Sequence, residues 1–154
     1  MSRANPHWET FANGGEMLIV FQGPHTYVTP SLSEAERTIP TWNYAAVHVY
    51  GQPVIVEAPD KVRALIKRLV DFQESRFDVP WQLESLDEGW VDGKLRGIVS
   101  FQMPIERMET TFRLMQNRSV EDRRRVADVL AGSDDTNAQG VAAMMRRHSL
   151  APTD

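Results

Sequence analysis

Four histidines, no cysteine and a scatter of arginines set the chemical repertoire of this 154-residue chain. Without cysteine there is no thiolate nucleophile, disulfide or thiolate metal ligand. His7, His25, His48 and His148 never fall at the i, i+4 spacing of a helical metal pair. His25 and His48 stand on separate predicted strands and can converge, and two partly buried, hydrogen-bonded imidazoles is the reading that suits them. No glycine-rich phosphate loop, dinucleotide-binding fingerprint or nucleophile elbow is present.

Two short stretches concentrate hydrogen-bond donors. One is SRANPHW, Ser2 to Trp8; the other is RLMQNRS, Arg113 to Ser119. Hydroxyl, amide and guanidinium groups beside a helix N-terminus suit a phosphate, and a capped helix start has the same composition. Other charged runs read as solvated surface. Asp134-Asp135 favours a helix dipole, and Arg123, Arg124 and Arg125 span most of a helical turn, balanced by Glu121, Asp122 and Asp128. A third stretch, TIPTWNYAAVHVYGQPVIVE from Thr38 to Glu57, strings aromatic, amide and imidazole groups along one long predicted strand. Alternation puts Trp42, Tyr44, Ala46, His48 and Tyr50 on one face and Asn43, Ala45, Val47 and Val49 on the other.

The elements that must hold these groups follow from pattern and punctuation. Asn5-Pro6 predicts an N-cap and first helical residue, the helix running through Thr10 and stopping at Asn13-Gly14-Gly15. Glu16–Gln22 predicts a buried strand; Gly23-Pro24 predicts a turn into a second short strand over His25–Thr29. Pro30–Pro40 reads as a surface loop. The long strand runs from Trp42 to about Glu57, bent near Gly51 and Pro53. Pro59 and Asp60 open a helix whose apolar residues Val62, Leu65, Ile66, Leu69, Val70 and Phe72 keep a 3.6-residue period. Ser85-Leu86-Asp87-Glu88 fits a capping box for a short helix ending near Gly97. Ile98–Met108 predicts a strand that Thr111–Leu114 continues after a kink. Helices from Ser119 to Leu130 and from about Asn137 to Arg147 close the chain.

The class is therefore α+β, in one domain of 154 residues with neither repeats nor linkers. A net charge of −4 and a pI near 5.6 argue against whole-chain attraction to nucleic acid or anionic membrane. No helix-turn-helix pattern is visible, so direct DNA binding is poorly supported. No apolar run is long enough to span a bilayer and no signal core opens the chain, which predicts a cytoplasmic protein without membrane contact.

RANPHW, VFQGPHTYVTPS, IPTWNYAAVHVYG, Pro80-Trp81 and QNRSVEDRRRV follow one another in the order of the PaiB-like family, which this chain resembles over essentially its whole length. Members are described as FMN-binding negative transcriptional regulators. The resemblance implies a split β-barrel of the FMN-binding type with peripheral helices and a C-terminal helical segment. It implies FMN held at a homodimer interface and a regulatory or redox role. By the same resemblance Ser2 and Arg3 match positions that contact the FMN phosphate, and Gln116, Asn117 and Arg118 match the motif that closes the site. Trp42, Asn43, Tyr44 and His48 lie on the strand nearest the flavin or the dimer seam, with the Asn43 set as the barrel's inner wall. The aromatic set then faces helices, a partner subunit or the cofactor. Relatives carry several dozen residues before the RANP motif, so the domain is expected to be N-terminally short. Thr110-Thr111 and Met115 replace the family's Gly-Lys and Ser. Haem-dependent piperazate synthases share some of these motifs, which makes a haem- or flavin-dependent enzyme acting on a small nitrogenous metabolite the alternative. His25 or His48 would then be the iron ligand. A cofactor-free interaction protein is the second alternative.

Overall fold

The structure is a computed structural model that describes residues 1–33 and 38–148. The chain forms two compact units, each built from separated segments: Met1–Leu18 with Tyr50–Glu106, and Ile19–Val49 with Arg107–Asp154.

In the first unit a 3-10 helix, Pro6–Asn13, starts where the sequence places it. The Asn5 side chain accepts the His7 N–H at 3.0 Å, Pro6 occupies the first position, and Gly14 ends the turn. The long strand expected to run to Glu57 is interrupted. Strand β2 (Thr41–Gly51) stops, Gln52 and Pro53 break the ladder, and β3 (Val54–Val56) follows. A Cβ at Gly51 would overlap the Pro104 carbonyl oxygen, so only glycine fits there. Helix α1 (Pro59–Glu74) buries Val62 and leaves Leu65, Leu69 and Phe72 exposed. The predicted capping box lies two residues early. Ser85 ends a 3-10 turn and donates to the Gln82 carbonyl, and Asp87 caps α2 (Glu88–Leu95) by accepting the Trp90 N–H at 2.8 Å. The Ser85 hydroxyl is engaged with the Gln82 carbonyl, and the Asp87 carboxylate, immediately before the helix, takes the cap. Strand β4 (Ser100–Gln102) pairs antiparallel with β3 in the register Val54↔Gln102, Ile55↔Phe101, Val56↔Ser100. The N-terminus joins just before β4: Ser2 bridges Ile98, and the Met1 ammonium donates to the Val99 carbonyl at 2.9 Å.

The second unit is built on a three-stranded sheet in the order β1-β2-β5, with β1 Met17–Val28 and β5 Arg107–Arg113. The two short strands predicted around Gly23-Pro24 are one strand. Pro24 lacks a ladder donor, and β1 tolerates it because it is an edge of the sheet. The expected strand from Ile98 to Met108 is likewise divided, at Met103–Glu106, into β4 and β5. Ser119 accepts the Asp122 N–H at 3.1 Å and caps α3 (Val120–Ala131); α4 (Thr136–His148) follows. Their facing sides form the core with Val28, Leu114 and Met115: Val126, Ala127 and Leu130 from α3, and Ala138, Val141, Ala142 and Met145 from α4. Gly140 sits against the Pro24 ring, and a Cβ there would come within 2.7 Å of it, so α4 reaches β1 only through glycine. Of the predicted loop Pro30–Pro40, residues 34–37 lie outside the described residues, and Pro30–Leu32 is a 3-10 turn. The class is α+β, antiparallel sheets with C-terminal helices, in keeping with a split barrel. Among the described residues no helix is long and apolar enough to cross a membrane.

Candidate cofactor site

In the first unit Arg3 is held at three points. Its N–H donates to the Gly97 carbonyl at 2.8 Å, Nε to the Arg96 carbonyl at 3.1 Å, and Nη2 to the Ile98 carbonyl at 3.5 Å. The guanidinium lies 5.5 Å from the centre of the Trp8 ring, and Trp8 Nε1 donates back to the Arg3 carbonyl at 3.0 Å. The tight NPHW turn therefore folds its indole over the arginine that precedes it. Ser2 supports the same turn, its Oγ accepting the Ala4 N–H at 3.3 Å.

Arg3, Trp8 and Arg96 line a cavity of about 620 Å³, with Glu57, Asp92 and aliphatic side chains from β3, α1 and the end of α2. That volume lies within the usual range of about 300–1,000 Å³ for small-molecule sites. Asp92 is neutralised in part by an ion pair with Arg63. Two guanidinium groups and an indole face beside an apolar wall suit a ligand that is anionic at one end and flat at the other. FMN has that chemistry, and these residues fit it. Sequence reasoning found Arg3 and the stretch that carries Trp8, and missed Glu57, Asp92 and Arg96 as companions. The signal was absent locally, because the bridge from Ser2 to Ile98 is what assembles them.

In the second unit the alternation read from β2 holds: Asn43, Ala45 and Val49 are buried. Helix α4 lies on this face, with Met145 Sδ accepting from Asn43 Nδ2 at 3.7 Å. The expected placing of helices on the aromatic face is thereby corrected for α4, since alanines and asparagine let a helix approach more closely than Trp42 or Tyr44 would. Asn43 is fully buried, and its Oδ1 has no partner among the described residues. Such an orphaned carbonyl costs about 1–3 kcal/mol. Half-exposed Trp42 stacks on His25, with ring centres 5.6 Å apart and planes at 25°, and the buried His25 Nδ1 is likewise unpartnered among the described residues. Tyr44 and His48 are partly buried.

The QNR stretch follows a backbone kink at Met115, whose φ is 61°. Gln116 closes on its own strand end: Oε1 accepts the Leu114 N–H at 2.8 Å, and Nε2 donates to the Phe112 carbonyl at 2.6 Å. Asn117 is exposed. Arg118 is partly buried and donates from Nη2 to Thr38 Oγ1 at 2.9 Å. Ser2 and Arg3 thus belong to the first unit, and Trp42, Asn43, Tyr44, His48 and Gln116–Arg118 to the second. No group of three or more metal-ligating side chains occurs among the described residues.

Residues 1–107 match the family described as "Putative FMN-binding domain". The chain is 34% identical over 141 residues to the protease synthase and sporulation protein PAI 2 of Bacillus subtilis, an alignment covering 92% of this chain and 67% of that protein. An uncharacterized protein of Aspergillus fumigatus is 26% identical over 133 residues, covering 73% of this chain and 51% of the relative. One from Saccharomyces cerevisiae is 32% identical over 81 residues, covering 49% and 48%. The chain thus spans two thirds of its Bacillus relative and about half of these fungal ones. It belongs to the PaiB-like family of FMN-binding proteins.

Proposed function

We propose that this chain binds FMN as a homodimer and serves a regulatory or redox role, with Arg3 holding the phosphate. The observation that carries the reading is the Arg3 guanidinium, fixed by two carbonyl contacts and the Trp8 ring, with its own backbone N–H anchored to Gly97, at the wall of a cavity that also presents Arg96. It lies within the segment matched to the FMN-binding family. A pre-fixed arginine loses little side-chain entropy on binding, so more of each charge-assisted hydrogen bond remains as affinity.

Bound flavin supplies reversible electron and hydride uptake. The chain's own groups do the rest. Arg3 and Arg96 neutralise the phosphate, Trp8 and the aliphatic wall exclude water, and Arg63 keeps the Asp92 carboxylate from opposing the anion. Regulation would run through a partner protein or the redox state of the flavin, because a net charge of −4 gives no general attraction to DNA.

The test is the visible spectrum of the purified protein after FMN addition and gel filtration, wild type against Arg3→Ala. Paired flavin bands should stay with the wild type. Loss of charge-assisted bonds worth about 1.5–3 kcal/mol should weaken binding roughly 10- to 100-fold in the variant. Equal retention by Arg3→Ala would remove Arg3 from the site. A haem Soret band in place of flavin would favour the nitrogen-chemistry alternative, and a protein retaining neither would leave the cofactor-free one.

A further inference from the structure

Strand β3 pairs with β4 on one side, and among the described residues its other edge joins no sheet. A groove of about 430 Å³ runs along β3, and Gln102 of β4, the residue paired with Val54, also lines it. One wall is the continuous stretch from Val54 to Ala58. The other is a single face of α1, Lys61, Ala64, Leu65 and Arg68, the i, i+3, i+4, i+7 spacing of one helical stripe.

A free strand edge facing a helix is the geometry in which an extended peptide adds a strand, with main-chain hydrogen bonds supplying affinity and side-chain pockets supplying selectivity. Val54, Ala64 and Leu65 are exposed and give an apolar floor that leaves room for a side chain from the incoming strand. Charge then selects the occupant. On α1, Arg63 pairs with Asp92, and Lys67 pairs with Asp71 and Glu84. Lys61 and Arg68, at the two ends of the groove wall, take part in no ion pair among the described residues. Glu57 is the single carboxylate among the lining residues, so the groove carries a net positive charge.

We infer that this groove is a docking site for an extended acidic peptide segment of a partner protein, which pairs its backbone with β3 and places carboxylates against Lys61 and Arg68. The inference stands apart from FMN binding, because neither cation lines the Arg3 cavity. It also offers the partner-borne route that a regulatory protein without general DNA affinity needs.

Random octapeptides displayed on phage, selected on the full chain and counter-selected on the K61E/R68E double variant, provide the test. The variant should keep the wild-type circular dichroism spectrum, since both side chains are exposed. Enriched peptides should combine β-branched residues with Asp or Glu. A synthetic peptide from the pool should bind in fluorescence anisotropy, lose at least tenfold in affinity to the double variant, and slow amide exchange at Val54–Val56. Failure to enrich acidic sequences, equal binding to both proteins, or binding that leaves Val54–Val56 exchange unchanged would each overturn the proposal.

Discussion

Asn43 shows how a single side chain carries information that neither pattern nor composition holds. Its position on the inner face of β2 was legible from alternation; its unpartnered Oδ1 was not, because that depends on Met145 arriving from α4 and satisfying only the amide nitrogen. A valine, closer to asparagine in volume and at home in a strand, would remove the orphaned acceptor. Asn43→Val should therefore raise the stability measured by urea unfolding of the cofactor-free protein, by about 1 kcal/mol. A lower midpoint would mean that the carbonyl already meets a donor in solution. Arg3 makes the complementary point. Its residue type and its neighbours in RANPHW flagged it, but its fixed geometry comes from Arg96, Gly97 and Ile98, more than ninety residues away.

Among the elements, helices were read best, because their start signals are local. Asn5-Pro6, Pro59 and Ser119 each open a helix where the sequence places them. Strand limits were read less well. Gly23-Pro24 breaks a strand only if the strand needs the missing N–H, and edge position, a tertiary property, decides that. Helix α1 also carries a measurable electrostatic link to the 3-10 turn at Leu83–Ser85. A hydrogen bond from Lys67 holds the Glu84 carboxyl below its ordinary range, and bonds to Glu84 and then Asp71 raise the Lys67 ammonium. The Glu84 contribution is complete above about pH 4.3 and lost as pH falls through its depressed value; the Lys67 contribution is complete below about pH 10.4 and lost as pH rises through its raised one. Lys67→Met should therefore flatten the acid limb of the stability curve, measured by urea unfolding from pH 2 to 6. Because these groups are exposed, the difference should vanish in roughly 1 M salt.

At the scale of the whole molecule, two units built from separated segments were not legible in the sequence, since no linker or shift in composition marks their limits. Every residue of β5 is exposed, Met108 at 55%, at an edge of the central sheet. Among the described residues that edge pairs with no further strand, and an edge of this kind invites pairing, in keeping with the proposed homodimer. Sedimentation equilibrium should give twice the chain mass for the wild type and the monomer mass for Met108→Lys; a monomeric wild type would discard the dimer. The bond from the Met1 ammonium to the Val99 carbonyl has a consequence for biosynthesis. The segment around Ser2 cannot meet its partner until Val99 has left the ribosome as well. At about 5–20 residues per second, that leaves the RANPHW turn waiting roughly 5–20 s for the strand that organises it. Arg3, the proposed phosphate contact, is thus translated 93 residues ahead of the Arg96 carbonyl that sets its guanidinium in place.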